Sequence, residues 1–405
     1  MCIKLINKII LVMQYKYDVA IIGGLGHIGL PLGILFADKL KNVLLIDNNL
    51  KEKDKVIKGQ MPFIEYGAES LLKKALTRNL LHITSRPEEI KKAKNIIFCI
   101  GTPIDEYLNP KTNKFLDVIA EYSKFINKDQ LIIIRSSVFP GICKQVNKLL
   151  GQDINLSFCP ERIVQGYAIK ELSKLPQIVS GFSEKAISLA GKLFEEVSKS
   201  IIYTSVTKAE LAKLYSNTWR YIQFAATNQF YMISNDMGEN YEDIRDLMME
   251  NYPRMSGFPS AGFAAGPCLL KDTMQLSNLS RNANFLAQAA MNINERMPEY
   301  LIQLIKKKHL LENAKVGILG MAFKANIDDI RDSLSFKLKK LLSFEGAEVK
   351  CSDEFANDPK YISKEELINY SEIIIIGAPH DIYKNIEIPT NKALYDIWSL
   401  GKDKK

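Results

Sequence analysis

A short apolar segment that runs into a glycine-rich turn constrains the fold of this chain most strongly. Tyr17–Gly23 reads YDVAIIG, which favours a β-strand, and the run GLGHIG follows directly at positions 24–29. Apolar residues then recur at helical spacing as far as Leu40, and the apolar segment Val43–Ile46 ends at Asp47. The order strand, glycine turn, helix, strand predicts a βαβ unit with parallel strands.

This turn carries the G-x-G-x-x-G pattern of a backbone that passes close to a dinucleotide. Gly24 would allow the tight turn, Gly26 the approach to the pyrophosphate, and Gly29 close packing of helix on strand. The carboxylate of Asp47 can accept hydrogen bonds from the ribose hydroxyls of NAD and would repel the 2′-phosphate of NADP. A structural turn without a cofactor is the alternative. The predicted NAD-binding residues on this segment are Gly24, Gly26, His27, Ile28, Gly29 and Asp47.

The alternation of strands and helices is interrupted in the middle of the chain. Strand-like runs alternate with helical segments up to Gln177–Ser180, which predicts a mostly parallel sheet. Thr207–Asp236 contains no Pro or Gly and carries apolar residues at helical spacing, so we expect one long helix there. A loop rich in Gly and Pro follows at 252–271, a helical stretch spans 274–310, and strands return from Ala314.

These patterns predict an α/β fold with two Rossmann-like doubly wound domains joined by a long central helical segment. The length of 405 residues suits two or three domains. The predicted divisions are an N-terminal extension at 1–16, an NAD-binding domain at 17–205, a central segment at 206–312 and a second Rossmann-like domain at 313–405.

Composition excludes several classes of protein. The chain is 47% hydrophobic and 25% charged, and no apolar run is long enough to span a bilayer, so we expect no membrane partner. The net charge of +8 comes from scattered Lys and Arg, so we expect no nucleic-acid partner. The six cysteines form no C-x-x-C pair, which argues against a metal site and favours reduced thiols in the cytoplasm. Residues 1–12 imitate a short signal peptide without a cleavage site, so we expect an extension rather than export.

Three further segments carry side chains suited to chemistry. Lys213 and Asn217 share one face of the long helix and could stabilise an oxyanion; a solvent-facing polar stripe is the alternative. Cys268 follows a loop of small residues and opens a helix, where a thiolate is stabilised, with Asp272 one turn later. A buried structural cysteine is the alternative there. Glu161 follows a proline at a strand end and could be no more than a turn residue.

Together these segments resemble the UDP-glucose/GDP-mannose dehydrogenase family, the NAD-dependent nucleotide-sugar 6-dehydrogenases. The resemblance extends from about Tyr17 to about Leu400, and the motifs occur in the family's order. They are the glycine fingerprint at 24–29, GTP at 101–103, RSSVFPG at 135–141, PER at 160–162, ELAKLYSN at 210–217, the loop before Cys268, LGMAFK at 319–324 and DDIRDS at 328–333.

The resemblance implies a four-electron oxidation of the C6 alcohol of a nucleotide sugar to a carboxylate. Cys268 would attack the intermediate aldehyde and later hold a thioester, which water activated by Glu161 hydrolyses. Lys213 and Asn217 would stabilise the developing oxyanion, and Asp272 with an ordered water would help to move the first proton.

The resemblance also implies how substrate, cofactor and a second subunit bind. Lys324 and Arg331 match positions in the C-terminal, UDP-sugar-binding domain that hold the sugar nucleotide, and two cations suit a diphosphate. Family members are usually homodimers joined through the central helix. By the same resemblance, Thr102 and Ser137 are further NAD-binding residues. The implied substrate-binding residues are Arg162, Arg254, Gly262, Phe323, Lys324 and Arg331, of which Arg254 is the candidate to reach the neighbouring subunit.

Departures from the family pattern bear on the choice of sugar. Members that act on UDP-glucose or GDP-mannose usually show N-P-E-F-L-x-E-G, whereas PER at 160–162 resembles the branch that acts on UDP-N-acetylhexosamines. Arg162 could contact an acetamido carbonyl or pair with an acid. We therefore expect a UDP-N-acetylhexosamine, with UDP-glucose as the alternative. Ala264 and Ala265 stand where many members have glycines, which could alter the pocket.

Two rival functions remain at this stage. A two-electron β-hydroxyacid dehydrogenase would need neither Cys268 nor a C-terminal nucleotide-binding domain. A non-catalytic NAD-binding regulator would not need Cys268, Lys213, Asn217 and Glu161 together. A role in making polysaccharide precursors is implied by the family alone.

Overall fold

The computed structural model describes residues 15–279 and 285–400. They divide into two compact units, the first ending at Tyr215 and the second beginning at Ser216. Each unit has its own sheet and hydrophobic core. The predicted extension at 1–16 lies outside the described residues, apart from its last two.

Eight short strands form one sheet in the described part of the first unit. They are β1 (Tyr17–Ile22), β2 (Val43–Ile46), β3 (Leu81–Thr84), β4 (Ala93–Phe98), β5 (Leu131–Ile134), β6 (Asn155–Phe158), β7 (Gln177–Gly181) and β8 (Ile201–Tyr203). Their order is β3-β2-β1-β4-β5-β6-β7-β8, and only β6 and β7 pair antiparallel among the described strands. The order of the first six is that of the dinucleotide-binding fold.

Helices cover both faces of this sheet. Successive residues of β1 enter two different cores, with Val19 and Ile21 on one face and Ala20 and Ile22 on the other. This explains why the central strands are apolar at every position instead of alternating. The helices are α1 (Gly29–Asp38), α2 (Leu50–Ile57), α3 (Ala68–Thr77), α4 (Thr112–Ser123), α5 (Ile142–Leu150), α6 (Ala168–Leu172) and α7 (Glu184–Phe194).

The long helix that the sequence predicts is present as α8 (Val206–Asp236), which runs for 31 residues. Residues up to Tyr215 belong to the first unit and the rest to the second. The uninterrupted run of residues without Pro or Gly accounts for its length.

The second unit holds a four-stranded parallel sheet in its described part, flanked by helices. Its strands are β9 (Lys315–Leu319), β10 (Glu348–Ser352), β11 (Ile373–Ile376) and β12 (Ala393–Tyr395), in the order β10-β9-β11-β12. Its further helices are α9 (Tyr241–Met249), α10 (Leu269–Ser277), α11 (Phe285–Glu295), α12 (Met297–Lys306), α13 (Leu334–Phe344) and α14 (Lys364–Tyr370). The predicted α/β fold with two Rossmann-like domains and a central helical segment is therefore confirmed.

Two segment boundaries differ from the sequence prediction. The predicted loop at 252–271 ends early because α10 begins at Leu269, and it contains a short 3-10 helix, Pro253–Met255. The helical stretch predicted at 274–310 is divided, since α11 and α12 are separated at Arg296 and residues 280–284 lie outside the described part.

Within residues 15–279 and 285–400, no helix carries an apolar stretch long enough to cross a bilayer. The same ranges bring together no group of three His, Cys, Asp or Glu side chains that could hold a metal ion.

Candidate active site

The parallel register of the first sheet gathers the predicted cofactor residues at one edge. Ile22 at the end of β1 pairs with Ile46 of β2 and with Phe98 of β4, and Phe98 pairs with Ile134 of β5. The loops that follow these strands therefore leave the sheet side by side. They carry the glycine turn at 24–29, Asp47, Thr102 and Ser137. In doubly wound sheets, ligands bind at this carboxyl edge.

The glycines of this turn are required by close approaches of the backbone. A Cβ on Gly29 would lie 2.3 Å from the carbonyl oxygen of Gly23, and one on Gly24 would lie 2.8 Å from Leu45 Cβ. The residue with a positive φ is Gly23, at +74°, so it and not Gly24 makes the sharp turn. Gly24 instead allows contact with the neighbouring strand. A Cβ on Gly26 would meet only the carbonyl of Gly23, at 3.5 Å.

The carboxylate of Asp47 is held in place by two backbone amides. Its Oδ2 accepts a hydrogen bond from Leu25 N at 3.1 Å, and its Oδ1 accepts one from Asn49 N at 3.1 Å. Each oxygen keeps a further lone pair for a hydroxyl group. The glycine turn, the helix that begins at Gly29 and this oriented carboxylate fit the pyrophosphate and ribose of NAD.

The remaining predicted cofactor residues lie on the surrounding loops. Ile28 is the residue from which α1 begins. The ring of His27 packs against Phe63 at 3.9 Å between centroids, and its Nδ1 lies 3.1 Å from Gln165 Nε2. Thr102 Oγ1 donates to the carbonyl of Ser137 at 2.5 Å, which ties the loop after β4 to the loop after β5.

Glu161 lies in a buried ion pair that the sequence does not reveal. One carboxylate oxygen accepts a hydrogen bond from Arg135 Nη2, and the other accepts from the amides of Arg162 at 2.7 Å and Ile163 at 3.0 Å. Glu161 is 6% exposed and Arg135 is 1% exposed. The carboxylate is thus fixed in orientation, with one lone pair of the oxygen that faces Arg135 left to accept a proton or a hydrogen bond.

Arg135 is itself held by several groups. Its Nη1 donates to Gln177 Oε1 at 2.9 Å and to the carbonyl of Cys159 at 3.2 Å. Its guanidinium lies 4.9 Å from the ring centroid of Phe194. Arg162 donates through Nη2 to the carbonyl of Pro176. Its contact in this structure is therefore a backbone carbonyl, neither of the two partners considered from the sequence.

The start of α8 is tied to the sheet by a buried glutamate. Glu210 is 2% exposed and accepts hydrogen bonds from Gly141 N at 2.9 Å and Cys143 N at 3.1 Å. It thereby caps α5 and holds the segment 135–141 against α8. Lys213 follows on α8 and is half-buried.

The second unit places Cys268 at the N-terminus of α10, as the sequence predicts. Cys268 is exposed and is the residue from which α10 starts, and Asp272 N donates to its carbonyl at 2.9 Å. Asp272 is 1% exposed; its Oδ2 accepts from Asn217 Nδ2 at 2.6 Å, and its Oδ1 lies 2.9 Å from Lys271 Nζ. Asn217 on α8 and Asp272 on α10 are therefore joined directly.

The other thiols in the described part of the chain are unsuited to nucleophilic attack. Desolvation raises the pKa of Cys99 and of Cys159 to about 12, against a partial lowering by the charge of Arg135. Burial likewise raises the pKa of Cys351 to about 11 and that of Cys143 well above its usual range. Cys268 is the exposed cysteine of the described residues. A thiolate is thus best accommodated at the start of α10.

Two glycines of the loop before Cys268 lie against aromatic rings of the C-terminal domain. A Cβ on Gly262 would lie 2.0 Å from the Trp398 ring, and one on Gly266 would lie 2.4 Å from the Phe323 ring. The methyl group of Ala264 is buried in a cluster with helical residues. Glycine is required at 262 and 266 because no side chain fits there.

Arg331 lies near Cys268. Its pKa is raised, first by hydrogen bonds to Asp329 and further by the charges of Asp329, Cys268 and Asp332. Its Nη2 donates to Asp329 Oδ2 at 2.6 Å, so the local ion pair considered from the sequence is present. The side chain remains 55% exposed and can still meet an anion. Lys324 lies on the loop that follows β9 and is half-buried.

Arg254 lies on the short 3-10 helix, Pro253–Met255. It is exposed; its Nε donates to Tyr252 Oη at 2.8 Å, and its guanidinium stacks 4.6 Å from that ring.

Comparison with known proteins agrees with this arrangement. Residues 17–201 match the NAD binding domain of the UDP-glucose/GDP-mannose dehydrogenase family, 207–296 match its central domain, and 317–400 match its UDP binding domain. This chain belongs to that family. It is an NAD-dependent dehydrogenase of nucleotide sugars.

The chain is similar to UDP-N-acetyl-D-mannosamine dehydrogenases of other organisms. It is 32% identical over 375 residues to a UDP-N-acetyl-D-mannosamine dehydrogenase of Methanocaldococcus jannaschii, covering 90% of this chain and 86% of the relative. A second one, from Pyrococcus horikoshii, is 30% identical over 378 residues, covering 90% of each chain. The solved structure of a UDP-D-ManNAc dehydrogenase from P. horikoshii superposes with a TM-score of 0.86 at 28% identity, covering 94% of this chain and 98% of that one.

Sequence reasoning missed three residues that hold parts of the candidate site in place. Arg135 and Glu210 lie within motifs that were singled out, and their long-range partners are not encoded by spacing along the chain. Trp398 lies near the end of the chain, where a lone tryptophan gives no signal of a contact with Gly262. A charged residue inside an otherwise apolar strand end, as in LIIIRSS, is the clue that could have indicated a buried pair for Arg135.

Proposed function

We propose that this enzyme oxidises the C6 alcohol of a UDP-N-acetylhexosamine to the carboxylate, with UDP-N-acetylmannosamine as the preferred sugar nucleotide. The observation that carries the proposal is the exposed Cys268 at the start of α10, one turn before the buried Asp272–Asn217 pair. The sugar is suggested by PER at 160–162 and by the names of the relatives.

The chain's own residues suit the first oxidation. Asp272 accepts from Asn217, which fixes the amide so that its other polar groups can be directed at a substrate oxygen. Lys213, one helical turn before Asn217 on α8, supplies positive charge to the oxygen that becomes an alkoxide. The hydroxyl proton leaves through a water held by Asp272. NAD, when bound, accepts the hydride in each of the two oxidations.

Cys268 accounts for the second oxidation. Its thiolate adds to the carbonyl carbon of the C6 aldehyde, and the oxygen takes up a proton to give a thiohemiacetal. Loss of a proton and a hydride from this adduct leaves a thioester. Water then adds to the thioester carbonyl as Glu161 accepts one of its protons, and the C–S bond breaks to give the free thiolate and the carboxylic acid. The acid ionises to the carboxylate by releasing the second proton to solvent. The covalent bond keeps the aldehyde from escaping.

The binding roles follow the family pattern. We assign the pyrophosphate of NAD to Gly24, Gly26, His27, Ile28 and Gly29, the ribose to Asp47, and the nicotinamide side to Thr102 and Ser137. We assign the sugar nucleotide to the C-terminal domain and the loop before Cys268. The substrate-binding residues are Arg162, Gly262, Phe323, Lys324 and Arg331, with Arg254 contributed to a neighbouring subunit.

A panel of substrates tests the choice of sugar. The purified enzyme is incubated with NAD and, in separate reactions, UDP-N-acetylmannosamine, UDP-N-acetylglucosamine, UDP-N-acetylgalactosamine, UDP-glucose and GDP-mannose. We expect kcat/KM for UDP-N-acetylmannosamine to exceed that for UDP-glucose at least about 100-fold, because a site built for the acetamido group leaves polar groups unpaired without it. Preference for UDP-glucose would overturn the sugar assignment, and turnover of none of the five would overturn the function.

We further propose a homodimer joined through α8. Exposed apolar side chains recur along one face of this helix, with Tyr215 54%, Trp219 60%, Phe230 41% and Ile233 52% exposed. At this spacing the four side chains lie on the same side of the helix. Such an apolar stripe could pack against the same stripe of a second copy of the chain in a symmetric dimer.

A charge in this stripe should separate the subunits. Trp219→Glu is expected to weaken dimerisation at least about 30-fold, because an aromatic anchor is lost and a charge is buried. Sedimentation equilibrium measures the dissociation constant. Arg220→Glu, one residue further on and about 100° around the helix, is the control and should leave that constant unchanged. A Trp219→Glu protein that dimerises like the wild type would contradict the proposed interface.

The divisions at 17–205, 206–312 and 313–405 remain our proposal, supported by the three family segments. Free thiols at the described cysteines favour the cytoplasm as the compartment. We infer from the family resemblance that the sugar acid produced is a precursor for polysaccharide synthesis.

A further inference from the structure

Asp353 in the C-terminal domain occupies the position that Asp47 has in the N-terminal domain. Each follows the second strand of its βαβ unit, β10 and β2, at the carboxyl edge of a parallel sheet. Asp47 accepts two backbone hydrogen bonds and keeps further lone pairs. The side chain of Asp353 is fully buried. The two carboxylates therefore differ in what they can bind.

All the acceptor capacity of Asp353 is used inside the protein. Its Oδ1 accepts from the amides of Phe355 and Ala356, each at 2.8 Å. Its Oδ2 accepts from the amides of Met321 at 2.6 Å and Ala322 at 2.9 Å, and lies 3.2 Å from His380 Nε2. A carboxylate offers about four lone-pair sites, and five groups approach this one. It is therefore not available to ribose hydroxyls.

His380 links this carboxylate to Asn326, at the end of the segment that begins with Met321 and Ala322. Its ring is buried and stacks on Phe355 at 4.6 Å between centroids. Asn326 N donates to Nδ1 at 2.8 Å, so Nδ1 carries no proton and the Nε2–H group donates to Asp353. The segment 321–326 is therefore held at its start by Asp353 and at its end by His380.

Lys324 lies between these two attachment points. Ala322, two residues before it, bonds to Asp353, and Asn326, two residues after it, bonds to His380. Phe323 within the same segment contacts Gly266 of the Cys268 loop. We propose that Asp353 and His380 are positioning residues that fix the Phe323–Lys324 segment for binding the diphosphate of the sugar nucleotide. This inference rests on the proposed function, in which Lys324 contacts that diphosphate.

Two variants of His380 separate positioning from a general loss of stability. In His380→Asn, the amide oxygen lies near the former Nδ1 and can still accept from Asn326 N, whereas the bond to Asp353 is lost. In His380→Gln, the amide nitrogen can still donate to Asp353, whereas Asn326 N loses its acceptor. His309→Gln, in the same compact unit and outside this network, is the matched control.

The test is calorimetric titration of each intact protein with UDP alone and, separately, with NAD. We expect His380→Gln to bind UDP about tenfold more weakly, because the backbone amide of Asn326 is left unpaired and the main chain loses this attachment, although the Asn326 side chain keeps its hydrogen bonds to Asp381. His380→Asn and His309→Gln should stay within about twofold of the wild type. NAD affinity should be the same in all four proteins. With the preferred sugar nucleotide, KM should rise in His380→Gln by the same factor while kcat changes little.

Other results would overturn the inference. Equal UDP affinity in His380→Gln and the wild type would mean that the segment does not need this attachment. An equal loss in His380→Asn and His380→Gln would indicate a general packing role instead. Failure of the wild type itself to bind UDP would overturn the proposed function, and this inference with it.

Discussion

Cys268→Ser should reduce the formation of the sugar acid at least about 10³-fold while leaving NAD binding unchanged. A serine hydroxyl at the start of α10 ionises far less readily than a thiol, so both the addition to the aldehyde and the formation of an acyl intermediate fail. Turnover is followed as NADH release together with quantification of the acid, and NAD affinity by titration of the same protein. Separate measurement of NAD binding distinguishes a chemical defect from misfolding.

The matched control is Cys351→Ser in β10. Cys351 is buried, its pKa is raised by burial, and it has no role in the proposed chemistry. Its replacement should leave kcat within about threefold of the wild type, because no reacting group is removed. A Cys268→Ser enzyme that kept full acid formation would remove Cys268 from the mechanism.

Arg135→Met should destabilise the protein by about 3–5 kcal/mol, because it leaves the buried carboxylate of Glu161 without its cation. The two side chains are almost entirely shielded from water, so solvent cannot compensate for the loss. The free energy of unfolding is measured by urea titration followed by circular dichroism. Lys73→Met is the control, because Lys73 and Glu69 form an exposed pair at 2.5 Å whose loss should cost no more than about 0.5 kcal/mol.

A double variant shows whether the charge is responsible. Glu161→Gln added to Arg135→Met removes the unpaired charge while the amide oxygen can still accept from the backbone of Arg162 and Ile163. We expect at least about half of the lost stability to return. If adding Glu161→Gln lowers the free energy of unfolding further instead of raising it, the unpaired charge of Glu161 is not the source of the loss.

The sequence was sufficient to predict those parts of the fold that a local pattern constrains directly. The glycine fingerprint, Asp47 and the absence of Pro and Gly in Thr207–Asp236 each constrain the backbone directly, and the corresponding elements are present. The short strands β3, β6, β8 and β12 were missed because three or four residues carry too little periodicity to stand out. Their place in the sheets depends on neighbours that are distant in sequence.

The candidate site was predictable to the extent that its motifs are contiguous. Cys268 and Asp272 are separated by one helical turn, so their proximity follows from spacing alone. The bond between Asn217 and Asp272, and the pairing of Arg135 with Glu161, depend on how separate elements pack. The burial of Ala264 in a cluster with helical residues likewise depends on tertiary structure.

The number of NADH molecules formed per sugar consumed tests the central claim most directly. The wild-type enzyme is incubated with excess NAD and a limiting amount of UDP-N-acetylmannosamine until absorbance no longer rises, and the sugar products are quantified. The mechanism through Cys268 predicts two NADH per sugar and the acid as the product, since the aldehyde stays bound as a thioester precursor. One NADH per sugar, with free aldehyde in solution, would contradict it.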